Sequence, residues 1–171
     1  IYCRPQYLIR LSEAIEEVGA DLGFSWYGNR TLLSLRLDKC WGAWALEFRP
    51  DFNAIESGMD VLIKWNKDFV GKDTTLKFKE KGVARKLVTL IVDTDIDVTH
   101  DEAVLKDGNA VGYVTSGGYS HRSKKSMALA YVSIDSTAAG TKLEVEILGE
   151  MYEAEVIVGP IYDPDGINMR S

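Results

Sequence analysis

Arg36 sits in the run Leu35-Arg-Leu-Asp-Lys39. A guanidinium stays charged and offers a planar fork of N–H groups to a carboxylate or to the polar edge of a heterocycle. By spacing alone a plainer use is favoured, an ion pair with Asp38 or Glu47, because structural ion pairs outnumber ligand sites. Tyr162, in Pro160-Ile-Tyr-Asp-Pro164, joins a stacking face to a hydroxyl that can donate to a polar atom. Taken by itself it is a tail aromatic that packs. Trp41, Trp44 and Glu47 follow Arg36 closely and could wall a pocket for a flat ligand, although tryptophans three apart are more often core or interface anchors.

Other chemistry-bearing residues point less sharply. Gly112-Tyr-Val-Thr-Ser-Gly-Gly118 has the glycines of a phosphate cradle but lacks the lysine and spacing of one and opens no helix, so it reads as a strand end and turn. His121-Arg-Ser-Lys-Lys125 concentrates positive charge that would suit an anionic tail or partner; such runs are usually solvated loops. His100 stands among Asp97, Asp101 and Glu102, yet no spacing matches a zinc or calcium motif, and no metal is expected. Cys3 and Cys40 have no histidine in a recognised arrangement and read as ordinary buried thiols.

The elements that must position these residues follow from periodicity. Pro5 fits a first helical turn, and Tyr7, Leu8, Leu11, Ala14, Ile15 and Val18 share one face, which predicts a helix from Pro5 to Val18 after the end of a strand at Ile1 to Cys3. A second helix is predicted from Asn29 to Lys39, with Leu32, Leu33, Leu35 and Leu37 at helical spacing and Arg36 beside that face. Gly71 and Gly82 bracket a short charged helix. From Arg85 onward the pattern is β: Leu87 to Val92, Val104-Leu105, Ala110 to Val114 and Met127 to Val132, with Asp107-Gly108 as a hairpin turn. Lys142 to Leu148 alternates strictly, Leu143, Val145 and Ile147 inward and Lys142, Glu144 and Glu146 in water, and Glu153 to Val158 pairs with it in kind. A small barrel or sandwich after a mixed first half results, with a boundary near Gly82.

The 171 residues, 46% hydrophobic, suffice for one good-sized domain or two small ones. With 26 acidic against 20 basic residues the formal charge is -6, which disfavours nucleic acid and anionic membrane as partners. No apolar run approaches the roughly 18 residues of a membrane span. Two distant cysteines fit a reducing compartment, either cytoplasm or mitochondrial matrix.

The run Leu35 to Lys39, with Trp41-Gly-Ala-Trp44 and Phe52-Asn-Ala-Ile-Glu56-Ser-Gly58, resembles the folate-binding half of the aminomethyltransferase family: the glycine cleavage T-protein and the C-terminal parts of dimethylglycine and sarcosine dehydrogenases. The likeness continues through Asp68-Phe-Val-Gly-Lys72, Arg85-Lys-Leu-Val88, Val111-Gly-Tyr-Val-Thr-Ser-Gly117 and Ala128-Leu-Ala-Tyr-Val132. The tryptophan pair and Pro160-Ile-Tyr-Asp163 lean toward the dehydrogenase-linked branch, while Val61 stands where many relatives carry an aromatic residue.

The resemblance implies an α+β fold, with residues 1–82 part of the α/β folate-binding region and residues 83–171 a compact antiparallel β-barrel. It implies tetrahydrofolate as the one-carbon acceptor, with Arg36 and Tyr162 as folate contacts and Trp41, Trp44 and Glu47 as pocket wall. It implies a small amine as donor and, as further partners, a flavin (FAD) domain or a lipoyl carrier protein. The family's catalytic aspartate and its Gly-Glu-x-Gly motif are expected upstream of Ile1, so no catalytic acid is assigned in this chain, and by itself it is expected to be inactive. A non-catalytic folate-binding or docking module and a folate-dependent demethylase are the alternatives.

Overall fold

The computed structural model describes residues 1–168 and 170. They form two compact units, Ile1–Leu32 and Leu33–Ser171.

In the first unit a 3-10 turn, Pro5–Tyr7, leads into α1, Leu8–Gly19, and a second 3-10 turn, Ala20–Leu22. Pro5 opens the helical segment as its missing N–H allows. Gly23, at φ 72, then turns the chain, and Phe24 closes against Gly19, where a Cβ would come within 2.6 Å of the phenylalanine. Trp26 meets Phe24 edge-on at 5.0 Å and donates its indole N–H to Glu16. Ile1 to Cys3, expected to end a strand, are exposed and irregular: no strand among the described residues offers them a ladder to join.

Helix α2, Asn29–Asp38, agrees with its expected bounds to a residue, but of its four spaced leucines only Leu37 is buried. Beyond it residues 39–58 run irregularly to a 3-10 turn, Met59–Leu62; α3, Lys72–Lys81, lies between Gly71 and Gly82, both at positive φ as the sequence requires of helix-bounding glycines.

Six antiparallel strands follow: β1 Arg85–Val92, β2 Ala103–Lys106, β3 Asn109–Ser120, β4 Lys125–Ser133, β5 Lys142–Ile147 and β6 Glu150–Ile157. They close into a barrel in the order β1-β4-β3-β2-β5-β6, which leaves no sheet edge unpaired. Asp107-Gly108 and Leu148-Gly149, all at positive φ, make the two-residue hairpin turns. Val88, Leu90, Val104, Val114, Ala128, Ala130, Val132, Leu143, Val145, Ile147 and Val156 fill the interior. The inward set of β5 is the one its alternation predicts.

Strand β4 departs from one-sided burial: Met127, Leu129 and Tyr131, on its outer face, are as buried as the inner alanines. The 39–58 segment covers Tyr131. Phe52 stacks on Tyr131 at 3.7 Å with 14° between ring planes, and the Tyr131 hydroxyl donates to the Glu47 carbonyl at 2.9 Å. Gly112 to Gly118 is not a strand end and turn but the interior of β3. A Cβ on Gly112 would meet the Tyr131 carbonyl at 2.0 Å, and one on Gly117 the Val98 carbonyl at 2.4 Å, so these glycines serve close backbone approach.

Candidate functional site

The end of α2 organises the site. The Cys40 amide donates to the Leu37 carbonyl at 2.9 Å and the Trp41 amide to the Arg36 carbonyl at 3.0 Å, the paired bonds of a Schellman stop. Cys40 takes its left-handed position at φ 52, where glycine is usual. The reversal sends Arg36, Asp38, Lys39 and Cys40 to four different parts of the second unit.

Arg36 makes the ion pair that its spacing suggested, and of its two candidate partners the geometry selects Glu47. Nη1 stands 3.3 Å from the Glu47 carboxylate and donates to the Trp41 carbonyl at 3.1 Å; Nη2 donates to the Ser116 hydroxyl at 2.6 Å. The Ser116 hydroxyl donates to the second oxygen of Glu47, and the Ala43 amide to the first at 2.7 Å. Glu47 is fully buried and the Arg36 side chain nearly so. A buried pair is tolerable only when its remaining lone pairs and protons are bonded, and here the carboxylate is fully engaged. The guanidinium is not: Nε is enclosed and has no hydrogen-bond partner among the described residues. Its outer fork faces Glu47 and Ser116.

Asp38 is buried on the other side of the helix end. One oxygen accepts from Ser120 and, at 3.3 Å, from Ser123; the other has no partner among the described residues. Lys39 reaches the tail, donating to the Asp163 carbonyl at 2.5 Å and its carboxylate at 2.9 Å, with the Tyr162 carbonyl at 3.4 Å. Lys39 holds the Asp163 carboxyl below the usual carboxylate range, chiefly through that side-chain hydrogen bond. Tyr162 receives a hydrogen bond from Arg122 at 3.0 Å on its hydroxyl, and the Arg122 guanidinium lies 4.8 Å from its ring centroid. The Cys40 thiol points to the Gly159 carbonyl at 3.2 Å, and burial pushes its pKa up.

A cleft of about 340 Å³ opens beside this knot, lined by Cys40, Trp41, Phe48, Met59, Lys86 and Thr89 among others. Trp41, half exposed, contributes its wall and meets Phe48 edge-on at 5.9 Å. Trp44 is 85% exposed and outside that lining; Glu47 lies inside the ion-pair knot. The expectation that both thiols are buried is corrected: Cys3 is exposed and Cys40 half-buried, Cys3 lying in an irregular segment that pairs with no strand among the described residues. His100 is an exposed loop residue bonded to Asp101 at 2.9 Å. Among the described residues no cluster of three or more His, Cys, Asp and Glu could hold a metal ion, and no helix is long and apolar enough to cross a membrane.

Sequence reading missed Ser116, Lys39, Arg122 and Asp163. Ser116 lies inside the glycine-rich run whose glycines drew attention, and its role requires the β3 bulge between Val114 and Ser116. Arg122 was seen only as one charge in a basic loop. Nothing in local spacing joins positions 39 and 163.

The model of the GCVT N-terminal domain matches residues 1–67, and that of the glycine cleavage T-protein C-terminal barrel domain matches residues 85–163. Human mitochondrial dimethylglycine dehydrogenase is 38% identical over 164 residues, 94% of this chain and 19% of that protein. An aminomethyltransferase of Geobacillus sp. (strain WCH70) is 37% identical over 165 residues, 95% of this chain and 45% of that protein. The crystal structure of glycine cleavage system aminomethyltransferase T from Bartonella henselae superposes with a TM-score of 0.83 at 25% identity, covering 91% of this chain and 45% of that one. The chain thus spans about a fifth of the dehydrogenase and less than half of the aminomethyltransferases. Its α+β fold, its closed barrel and the two family matches, to residues 1–67 and 85–163, agree, and the chain belongs to the glycine cleavage T-protein, or aminomethyltransferase, family.

Proposed function

We propose that the chain is the C-terminal, folate-contacting portion of a tetrahydrofolate-dependent one-carbon transferase, taking the carbon from an amine donor such as a glycine cleavage intermediate, dimethylglycine or sarcosine. The observation that carries this reading is Arg36: a guanidinium held at the end of α2 by Glu47 and Ser116, with 11% of its side chain still exposed. A cation fixed so firmly suits the polar edge or carboxylate of a folate. Tyr162, whose hydroxyl accepts from Arg122 and retains its own proton to donate, is the second contact, and Trp41 is the wall residue best placed for a pterin.

Tetrahydrofolate accepts the one-carbon unit; what this chain's residues do is orient it. Positioning alone supplies effective molarities of about 10⁵ M or more in favourable cases. No aspartate of this chain is assigned the proton-handling role, so the carboxylate that assists at the attacking nitrogen belongs to the longer protein. A flavin domain bearing FAD or a lipoyl carrier protein would deliver the donor, in the cytoplasm or the mitochondrial matrix, and the folate-binding region and barrel divide near Gly82.

Equilibrium binding of tetrahydrofolate to this chain, with a product assay on the same sample, tests the reading. Binding without turnover is expected, and Arg36→Met should weaken it by at least tenfold. Undiminished binding by that variant would remove Arg36 from the site. Methylenetetrahydrofolate formed by the chain alone would sink the assignment of the assisting carboxylate to the longer protein. A 5-methyl rather than 5,10-methylene product from the longer protein would reassign it as a demethylase.

A further inference from the structure

We propose that Lys39 and Arg122 are positioning residues that latch the C-terminal tail to the end of α2 and thereby fix Tyr162 for its ligand. The role rests on reading Tyr162 as a folate contact.

Lys39 follows Arg36 by three residues, on the turn that ends α2. Its three bonds to Tyr162 and Asp163 tie the tail's backbone and side chain to the segment that fixes Arg36. The pair is not a solvated surface contact: the Asp163 side chain is 4% exposed and that of Lys39 22%. Asp163 also centres a fold within the tail, its other carboxylate oxygen accepting from the Asn168 amide at 3.2 Å and its carbonyl from the Gly166 amide at 2.9 Å. It does so at φ 48, a left-handed position that a non-glycine residue keeps only where surrounding contacts over-determine it.

Arg122 comes from a different element, the turn between β3 and β4. It grips the hydroxyl of Tyr162 and covers the ring, while Lys39 holds the peptide beside it. The Cys40 thiol adds a third tie, to Gly159 at the start of the tail. A tyrosine on a loose tail would have to be ordered by its ligand at the cost of affinity; one held before binding spares that cost. The two candidate contacts, Arg36 and Tyr162, are thus joined through the short stretch from Arg36 to Cys40.

Two measurements on the full chain test the latch: hydrogen exchange of the tail amides and the Kd for tetrahydrofolate, in the parent and in Lys39→Met, Lys39→Arg, Tyr162→Ala and the Lys39→Met/Tyr162→Ala pair. Lys39→Met is expected to speed exchange from Ile161 to Asn168 while β1 to β6 stay protected, and to weaken folate about tenfold. Lys39→Arg should keep most of the affinity, and Lys39→Met should add nothing once Tyr162 is gone. Unchanged tail exchange in Lys39→Met would overturn the latch. Equal losses with and without Tyr162 would overturn positioning, since Lys39 would then act on the ligand itself. A parent chain that binds no folate, or a Tyr162→Ala variant that binds it undiminished, would sink the folate reading of Tyr162 and the positioning role with it, a result separable from the exchange data.

Discussion

Glu47 shows how one residue can serve two structures. Its carboxylate balances Arg36, and its carbonyl receives the Tyr131 hydroxyl that seals the cover over β4. Burial, reinforced by the nearby Glu56 and Glu47 carboxylates, pushes the Tyr131 phenol well above its usual range, so it remains a donor through mildly alkaline pH. Glu47→Gln should therefore destabilise the chain by about 3 kcal/mol, as breaking a buried pair from one side does, read as a lower urea midpoint at unchanged m value. Replacing both partners with apolar residues, Arg36→Met with Glu47→Leu, should recover much of that loss while folate binding stays lost. Cys40 offers a second residue-scale check. With its thiol shifted up by burial and that of Cys3 exposed, iodoacetamide at pH 8 should modify Cys3 well before Cys40, as mass spectrometry of peptides would show.

Among the elements, the pairing of β3 with β4 at Gly112 leaves no room for a side chain. Gly112→Ala would drive a methyl group into the Tyr131 carbonyl, a backbone atom that cannot rotate aside, and should cost at least about 1–3 kcal/mol in thermal or urea unfolding. Alanine at Gly108 meets no such neighbour and would suffer only from its positive φ. The tail makes a pH prediction with a definite sign. Asp163 titrates below its unfolded value, so its contribution is fully present above about pH 4 and is lost as pH falls through the depressed folded value. Acidification to pH 4 should leave tail exchange unchanged, with release beginning only below it; release between pH 5 and 6 would mean that the Lys39 bond does not hold.

At the scale of the molecule the two units differ in how they are held. The barrel is closed and filled with branched and small apolar side chains, whereas α1 buries none of its residues and leaves Leu8, Ile9 and Val18 exposed, as the following 3-10 turn leaves Leu22. Local stability follows buried contact, so limited proteolysis should cut within residues 1–32 first and leave a fragment that begins near Leu33 with its strands intact. Cleavage first within β1 to β6 would contradict this. The longer relatives set the same issue in context: 94% of this chain corresponds to only 19% of human dimethylglycine dehydrogenase.

Short-range order was legible in the chain. Proline, glycine and leucine spacing pointed to the three α-helices, Asp107-Gly108 to the first hairpin, and the alternation from Lys142 to β5 with its inward face, because each depends on neighbours within a few residues. The run around Arg36 gave the family for the same reason, since its pattern is contiguous. What lay beyond sequence was every pairing across distance: Arg36 with Ser116, Lys39 with Asp163, Arg122 with Tyr162, and Phe52 with Tyr131 on the outer face of β4. The glycines of β3 looked like a turn because their reason, a backbone passing close by, is invisible in one dimension. Propensity and period act along the chain, whereas a buried charge finds its partner only where barrel closure brings remote segments together, so the elements were set by the sequence and the site by the tertiary structure.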